Sequence, residues 1–198
     1  MSSQRQTFLA TLGPAGSNHE MVACRYCRAR GAPEADILLC GDFTEALEAF
    51  AAGNAGYVLI CAVHPDCADV VGRGQYELGL DILDMFIAES QPLAILTRTD
   101  APEPGTIALH PATESYTDLS AWDEKIHVSS IVAAAEGLLA GKWPSALTAA
   151  RFAEEGHLRI DRHIPPPRDA WLVLGHAADG DPLGIRGQTE RLSLFSSE

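Results

Sequence analysis

The chain has 198 residues and a formal net charge of −13, from 14 basic and 27 acidic side chains. Such a field repels phosphate backbones, which excludes nucleic acid as an expected partner. No apolar run approaches the roughly 18 to 20 residues of a membrane span, and 46% hydrophobic with 21% charged residues suits one core or two small lobes sharing a cleft.

Residues 7–12 form the first apolar run and are predicted as a strand, broken by Gly13-Pro14-Ala15-Gly16. Ser17 or Asn18 then caps a helix running to about Arg30, which Gly31 and Pro33 end. Residues 37–40 form a short strand. Asp42 caps the next helix with Glu45 as capping-box partner, and Phe43, Ala46, Leu47 and Phe50 give it an apolar face. Residues 57–63 are a continuous apolar run of strand length, as a parallel sheet requires. Strands are expected over 78–87, 92–96 and 106–109, a helix from near Ala112, a strand over 126–128, and a helix capped by Ser129 or Ser130 running to about Ala140. A strand over 145–147 leads through Thr148 into a helix ending at Gly156; strands over 158–160 and 171–174 flank Pro165-Pro166-Pro167, a rigid link. Beyond Gly175 the chain is polar until an apolar stretch over 192–195.

The alternation of strand and helix predicts an α/β fold with mostly parallel sheets. Two blocks of it define two lobes, approximately 1–92 with 168–198, and approximately 93–167, with a ligand cleft between them. Cys24 and Cys27 form C-x-x-C inside a predicted helix with no second pair, so they read as packing and no metal or cofactor is expected. Cys40 and Cys61 end apolar runs, where cysteine acts as a small hydrophobe.

Five segments can carry chemistry. Gly16, Ser17 and Asn18 open a helix after a Gly-rich turn, where amides and the helix dipole favour a carboxylate or phosphate. His110, between Leu109 and Pro111, can act as acid or base near neutrality. Ser129 and Ser130 offer hydroxyls at another helix start, as does Thr148. Arg168-Asp169-Ala170-Trp171 clusters a cation, a carboxylate and an aromatic ring. In open α/β sheets such points gather at the carboxyl ends of strands.

The order of these motifs resembles prephenate dehydratase. Leu12-Gly13-Pro14-Ala15-Gly16-Ser17 is similar to that family's L-G-P-x-G-[ST] opening. His110-Pro111 falls at its Ser-His-Pro, Val128-Ser129-Ser130 at its Ser-Thr stretch, and Ser145-Ala146-Leu147-Thr148 at its Ala-Ile-Ala segment. The resemblance covers about residues 7–175 and implies the fold of type 2 periplasmic-binding proteins. It also has departures. The family's Thr-Arg-Phe stands here as Asp169-Ala170-Trp171, its Pro-Ile-Glu-Asn as Cys61-Ala62-Val63-His64, and no residues remain for its ACT regulatory domain.

These departures resemble the prephenate decarboxylase branch of bacilysin-type pathways, as does Leu80-Asp81-Ile82-Leu83-Asp84-Met85-Phe86. The resemblance implies a lyase acting on prephenate or a related cyclic carboxylate by non-aromatising decarboxylation. The alternatives are dehydration and carboxylate binding without turnover. In this reading Ser17, with the Gly16 and Ser17 amides and Asn18, holds one carboxylate. Ser129, Ser130 and Thr148 line the opposite wall, His110 and then His64 donate the proton, Trp171 forms an apolar wall and Arg168 supplies charge. The expected partner is a small anionic substrate. A homodimer is the expected assembly, and the polar residues 1–6, with no signal-peptide core, point to the cytoplasm.

Overall fold

The computed structural model describes residues 9–31, 36–101 and 105–177. In chain order the elements are β1 (Leu9–Leu12), α1 (Asn18–Ala29), β2 (Ile37–Cys40), α2 (Phe43–Ala51), β3 (Tyr57–Cys61), α3 (Cys67–Glu77) and β4 (Asp81–Glu89). They continue as β5 (Leu93–Arg98), β6 (Thr106–Leu109), β7 (Glu124–His127), α4 (Ile131–Leu139), β8 (Ser145–Ala149), β9 (Leu158–Ile164) and β10 (Arg168–Gly175). Short 3-10 helices occupy Pro111–Tyr116 and Ala150–Glu154.

The strands form two five-stranded sheets, ordered β2-β1-β3-β10-β4 and β7-β6-β8-β5-β9. The chain passes from the first to the second between β4 and β5, and returns between β9 and β10. Strands β1, β3, β6 and β8 run toward the interface between the sheets, and their mutual pairings are parallel. Strands β5 and β10 enter their sheets from that interface, so each runs against both neighbours: β5 against β8 and β9, β10 against β3 and β4. The sheets are therefore mixed, and less parallel than the strand-helix rhythm suggests, because the crossing strands start where the others end.

Each lobe has its own core. Ile95, Leu96, Ile107, Leu138 and Leu147 centre the core of the second sheet. The first sheet is covered on both faces: one by α1 through Val22, Ala23 and Cys27 with Trp171, the other by α2 and α3 through Leu47, Phe50 and Val70. At about 25 cal/mol per Å² of apolar surface removed from water, these faces supply the main stabilising term. Local signals set the helix starts. The Ser17, Asp42 and Ser130 side chains accept from the amides of Glu20 (3.1 Å), Glu45 (2.8 Å) and Ala133 (2.9 Å), each cap contributing about 1 kcal/mol. The Glu45 carboxylate reaches back to the amide of Gly41, one residue before the cap (2.6 Å).

Four expectations need correction. Residues 67–77 form α3, where no helix was expected; Asp66 stands at its N-cap without a side-chain capping hydrogen bond, and its inner face is narrow, with Val70 and Gly74 buried and Cys67 and Val71 packed partly buried beside them. Residue 78 closes that helix, and the strand begins at Asp81. After His110 there is a single 3-10 segment. Thr148 lies within β8, and only the 3-10 segment Ala150–Glu154 follows. The apolar stretch over 192–195 falls outside the described residues.

Candidate functional site

Between the two sheets lies an open cleft enclosing about 700 Å³ of empty space, the solvent at its mouth included. The carboxyl ends of β1, β3 and β6 and the start of α4 form its walls, and the two crossing segments form its floor. Ser17, Asn18, His64, His110, Ser129 and Ser130 all line it.

His64 and His110 come from opposite lobes and meet across the cleft, ring centroids 5.7 Å apart. Each follows a strand, precedes a proline and turns its Nδ1 back to accept the amide two residues on: Asp66 for His64 and Ala112 for His110, both at 3.2 Å. In the neutral ring this places the proton on Nε2. Burial holds both imidazoles below the ordinary histidine value. The Asp66 carboxylate, 3.8 Å from His64, opposes the effect there, while His64 adds to it at His110.

A third imidazole completes the group. His19, in the first turn of α1, packs edge-on against His64 (5.6 Å), Phe43 (5.7 Å) and Trp171 (5.0 Å). Burial, reinforced by the other two histidines, lowers its pKa to about 3. Its Nε2 and the Nε1 of Trp171 are buried without hydrogen-bond partners among the described residues. No cluster of His, Cys, Asp or Glu among the described residues is arranged to hold a metal ion.

The floor carries a polar chain. Asn18 Nδ2 donates to Ser90 Oγ (2.8 Å), and Ser90 Oγ donates to Asp169 Oδ2 (2.5 Å). The Gln91 amide donates to Asn18 Oδ1 (3.0 Å). Cys61 and Tyr116 also face the cleft; burial, with Asp169 nearby, pushes the thiol and the phenol each up to about 12. Among the described residues, Asp169 is the lining residue with a formal charge, and neither lysine nor arginine lines the cleft.

Several expected contributors are elsewhere. The Gly16 amide donates to the Glu20 carboxylate and the Ser17 amide to Pro14 O at 3.0 Å. Ser17 Oγ donates to Leu12 O (3.0 Å) while capping Glu20. The protein's own groups thus occupy this turn, and it does not present the open carboxylate cradle expected of it. Thr148 Oγ1 is buried and donates to Ile131 O (2.5 Å). Arg168 is exposed, while Trp171 is fully buried behind His19. Side chains on β10 alternate, so Asp169 and Trp171 share a side that Arg168 does not. His19, Ser90, Gln91, Cys61 and Tyr116 are among the lining residues that the sequence reading did not assign to the site, and Asp169 was noted there within the 168–171 cluster without a role of its own.

The two lobes and the cleft at their strand ends define the class: a type 2 periplasmic-binding-protein-like α/β fold. No family model and no curated protein matches this sequence. Among solved structures, a prephenate dehydratase from Arthrobacter aurescens in complex with L-Phe is similar, with TM-score 0.65, 19% identity and coverage of 86% of this chain and 60% of that one. GqqA, a quorum-quenching acylase, matches with TM-score 0.56 and 19% identity over 85% of this chain and 64% of that one. A periplasmic His/Glu/Gln/Arg/opine-family binding protein from Silicibacter pomeroyi, in complex with lysine, matches with TM-score 0.50 and 12% identity, covering 90% and 86%. At these identities the likeness is one of fold, and the chain spans less than two thirds of the first two proteins.

Proposed function

We propose that this chain is a lyase that removes carbon dioxide from prephenate or a related cyclohexadienyl carboxylate without aromatising the ring. The observation that carries the reading is the meeting of His64 and His110, one from each lobe, in a cleft that no lysine or arginine among the described residues lines. Perturbed titratable groups converging in a cleft mark proton-transfer sites. A ligand carboxylate there lacks a lysine or arginine counter-charge, and its loss as neutral carbon dioxide relieves that cost. The same carboxylate favours the protonated form of an adjacent imidazole, so it brings in the proton the reaction consumes.

The step balances. The bond from ring carbon to carboxylate breaks and its electron pair enters the conjugated ring. His110, with His64 as the second candidate, delivers a proton to a distant ring carbon and returns to the neutral form, and the ring hydroxyl stays in place. Ser129 and Ser130, at the start of α4, are the groups best placed to hold a carboxylate that is retained.

The test is incubation of the purified protein with prephenate at neutral pH, with product identification by mass and ultraviolet absorbance. A non-aromatic keto acid lacking one carboxyl group is expected, with kcat about 100-fold lower in His110→Asn. Phenylpyruvate above the spontaneous background replaces decarboxylation with dehydration. Binding without turnover makes the chain a receptor for small carboxylates.

A further inference from the structure

Asp169 sits on the cleft floor at the start of β10, only 8% exposed. One of its oxygens is fixed by the Ser90 hydroxyl, itself held by Asn18 of α1, so the carboxylate is anchored to both the crossing segment and the helix. The other oxygen has no hydrogen-bond partner among the described residues, and Asp169 forms no salt bridge with any of them. Arg151, at the edge of the cleft, is engaged by Gly16 O (3.1 Å) and by Gln91 Oε1. Burial keeps the neighbouring thiol and phenol protonated and the imidazoles neutral.

A nearly buried carboxylate held by a single hydroxyl, with its second oxygen open to the cleft and no counter-charge among the described residues, is costly, and such groups are found paired or fully hydrogen-bonded. A ligand bearing only carboxylates adds like charge to this cleft, whereas one bearing a cation cancels it. We infer that the ligand carries an ammonium group received by Asp169, so that among carboxylates of one skeleton the cleft selects the amino acid over the acid lacking the amine. The inference rests on the reading above for the carboxylate, which goes to Ser129 and Ser130 at the start of α4, and narrows its substrate to an amino-bearing cyclohexadienyl carboxylate, so that prephenate, which has no amine, becomes the weaker ligand. The ammonium then takes the open oxygen of Asp169, and the zwitterion brings no net charge into the site. The hydrogen bonds running from the Gln91 amide through Asn18 and Ser90 to Asp169 fix its carboxylate before any ligand arrives, and orientation in advance lowers the entropic cost of binding.

The experiment is calorimetric titration of the full chain with three probes of one skeleton: L-phenylalanine, 3-phenylpropionate, which lacks the ammonium, and 2-phenylethylamine, which lacks the carboxylate. L-Phenylalanine is expected to bind at least ten-fold more tightly than 3-phenylpropionate. Asp169→Asn is expected to remove that preference and to weaken 2-phenylethylamine. Equal or tighter binding of 3-phenylpropionate to the unmodified protein overturns the inference, as does binding of neither acid. An Asp169→Asn protein that loses affinity for both acids alike also overturns it, since Asp169 then only holds Ser90. The comparison on unmodified protein stands even if the variant fails to fold. It is independent of turnover: an ammonium preference without carbon dioxide release retains this inference and removes the lyase, and release without the preference does the reverse.

Discussion

His19 shares its surroundings with Phe43, His64 and Trp171, and its pKa of about 3 against an ordinary 6.5 has a consequence for stability. Between those two values the unfolded chain binds a proton at this residue and the folded chain does not. Stability is therefore complete above about pH 6.5 and falls as the pH drops toward 3, by up to about 1.4 kcal/mol per pH unit from this group. His19→Phe, which keeps an aromatic ring in the pocket, removes that dependence. Relative to its own value at pH 7, the variant is expected to lose about 2 kcal/mol less than the parent at pH 5. Urea unfolding at the two pH values measures it, and parallel losses in both proteins refute it. At this scale the sequence was only partly legible. His110 was singled out from its place after a strand, and His64 through the family resemblance. Asp169 was seen within a cluster, but the cluster was read whole. Strand alternation separates Arg168 from Asp169 and Trp171, and that rule was available without any coordinates. The occupation of the Gly16 amide by Glu20 was not, because it depends on which rotamer the glutamate adopts.

Among the elements, α4 shows how tightly the second lobe is assembled. Its nine residues bury Ile131, Val132, Ala134, Ala135, Gly137 and Leu138, and Trp143 folds back on it with Nε1 donating to Ala134 O at 2.9 Å. A Cβ added at Gly137 would stand 1.9 Å from Cζ2 of that indole. Gly137→Ala is expected to cost about 2–3 kcal/mol through overpacking. Much of the loss should return in Gly137→Ala with Trp143→Leu, as read from urea midpoints; an unaffected single variant contradicts the contact. Strands with continuous apolar runs, β3 among them, and helices with side-chain caps were legible because their signals are local. The α3 helix was missed although Asp66 at its N-cap and the spacing of Cys67, Val70 and Val71 were there to be read; Gly72 and Gly74 weaken the helical pattern, and the helix is held by packing against α2, Leu80 and Leu174.

On the scale of the whole molecule, the lobes are held by more than the two crossing segments. Arg151, in the 3-10 segment after β8, reaches the loop before α1 at Gly16 O and the crossing segment at Gln91 Oε1, while Gln91 Nε2 donates to Gly16 O (3.0 Å). Gly16 itself has φ +80°, a backbone conformation that favours glycine, and the Arg151 guanidinium packs against it. Hydrogen bonds to a charged group are worth about 1.5–3 kcal/mol. Arg151→Ala is therefore expected to let the lobes separate, raising the radius of gyration in small-angle scattering and weakening cleft ligands about ten-fold, or roughly 1.4 kcal/mol. Unchanged scattering and affinity would reduce the contact to a surface decoration. The two-lobed plan was legible from the rhythm of strands and from the ordered motifs, but this bridge joins residues 135 positions apart that no local pattern connects.

The position of β10 also bears on how the chain is made. The second sheet is contiguous, β5 through β9, so it can close as soon as residue 164 has left the ribosome. The first sheet cannot, because its fourth position, between β3 and β4, stays vacant until residues 168–175 are synthesised. During that interval β3 and β4 present open hydrogen-bonding edges of the kind that recruit other strands, and β3 is buried along its whole length in the finished fold. The nascent chain thus passes through a stage with one finished lobe and one open one. The strand that ends this exposure also delivers Asp169 to the cleft, so the site is completed in the same event that seals the sheet.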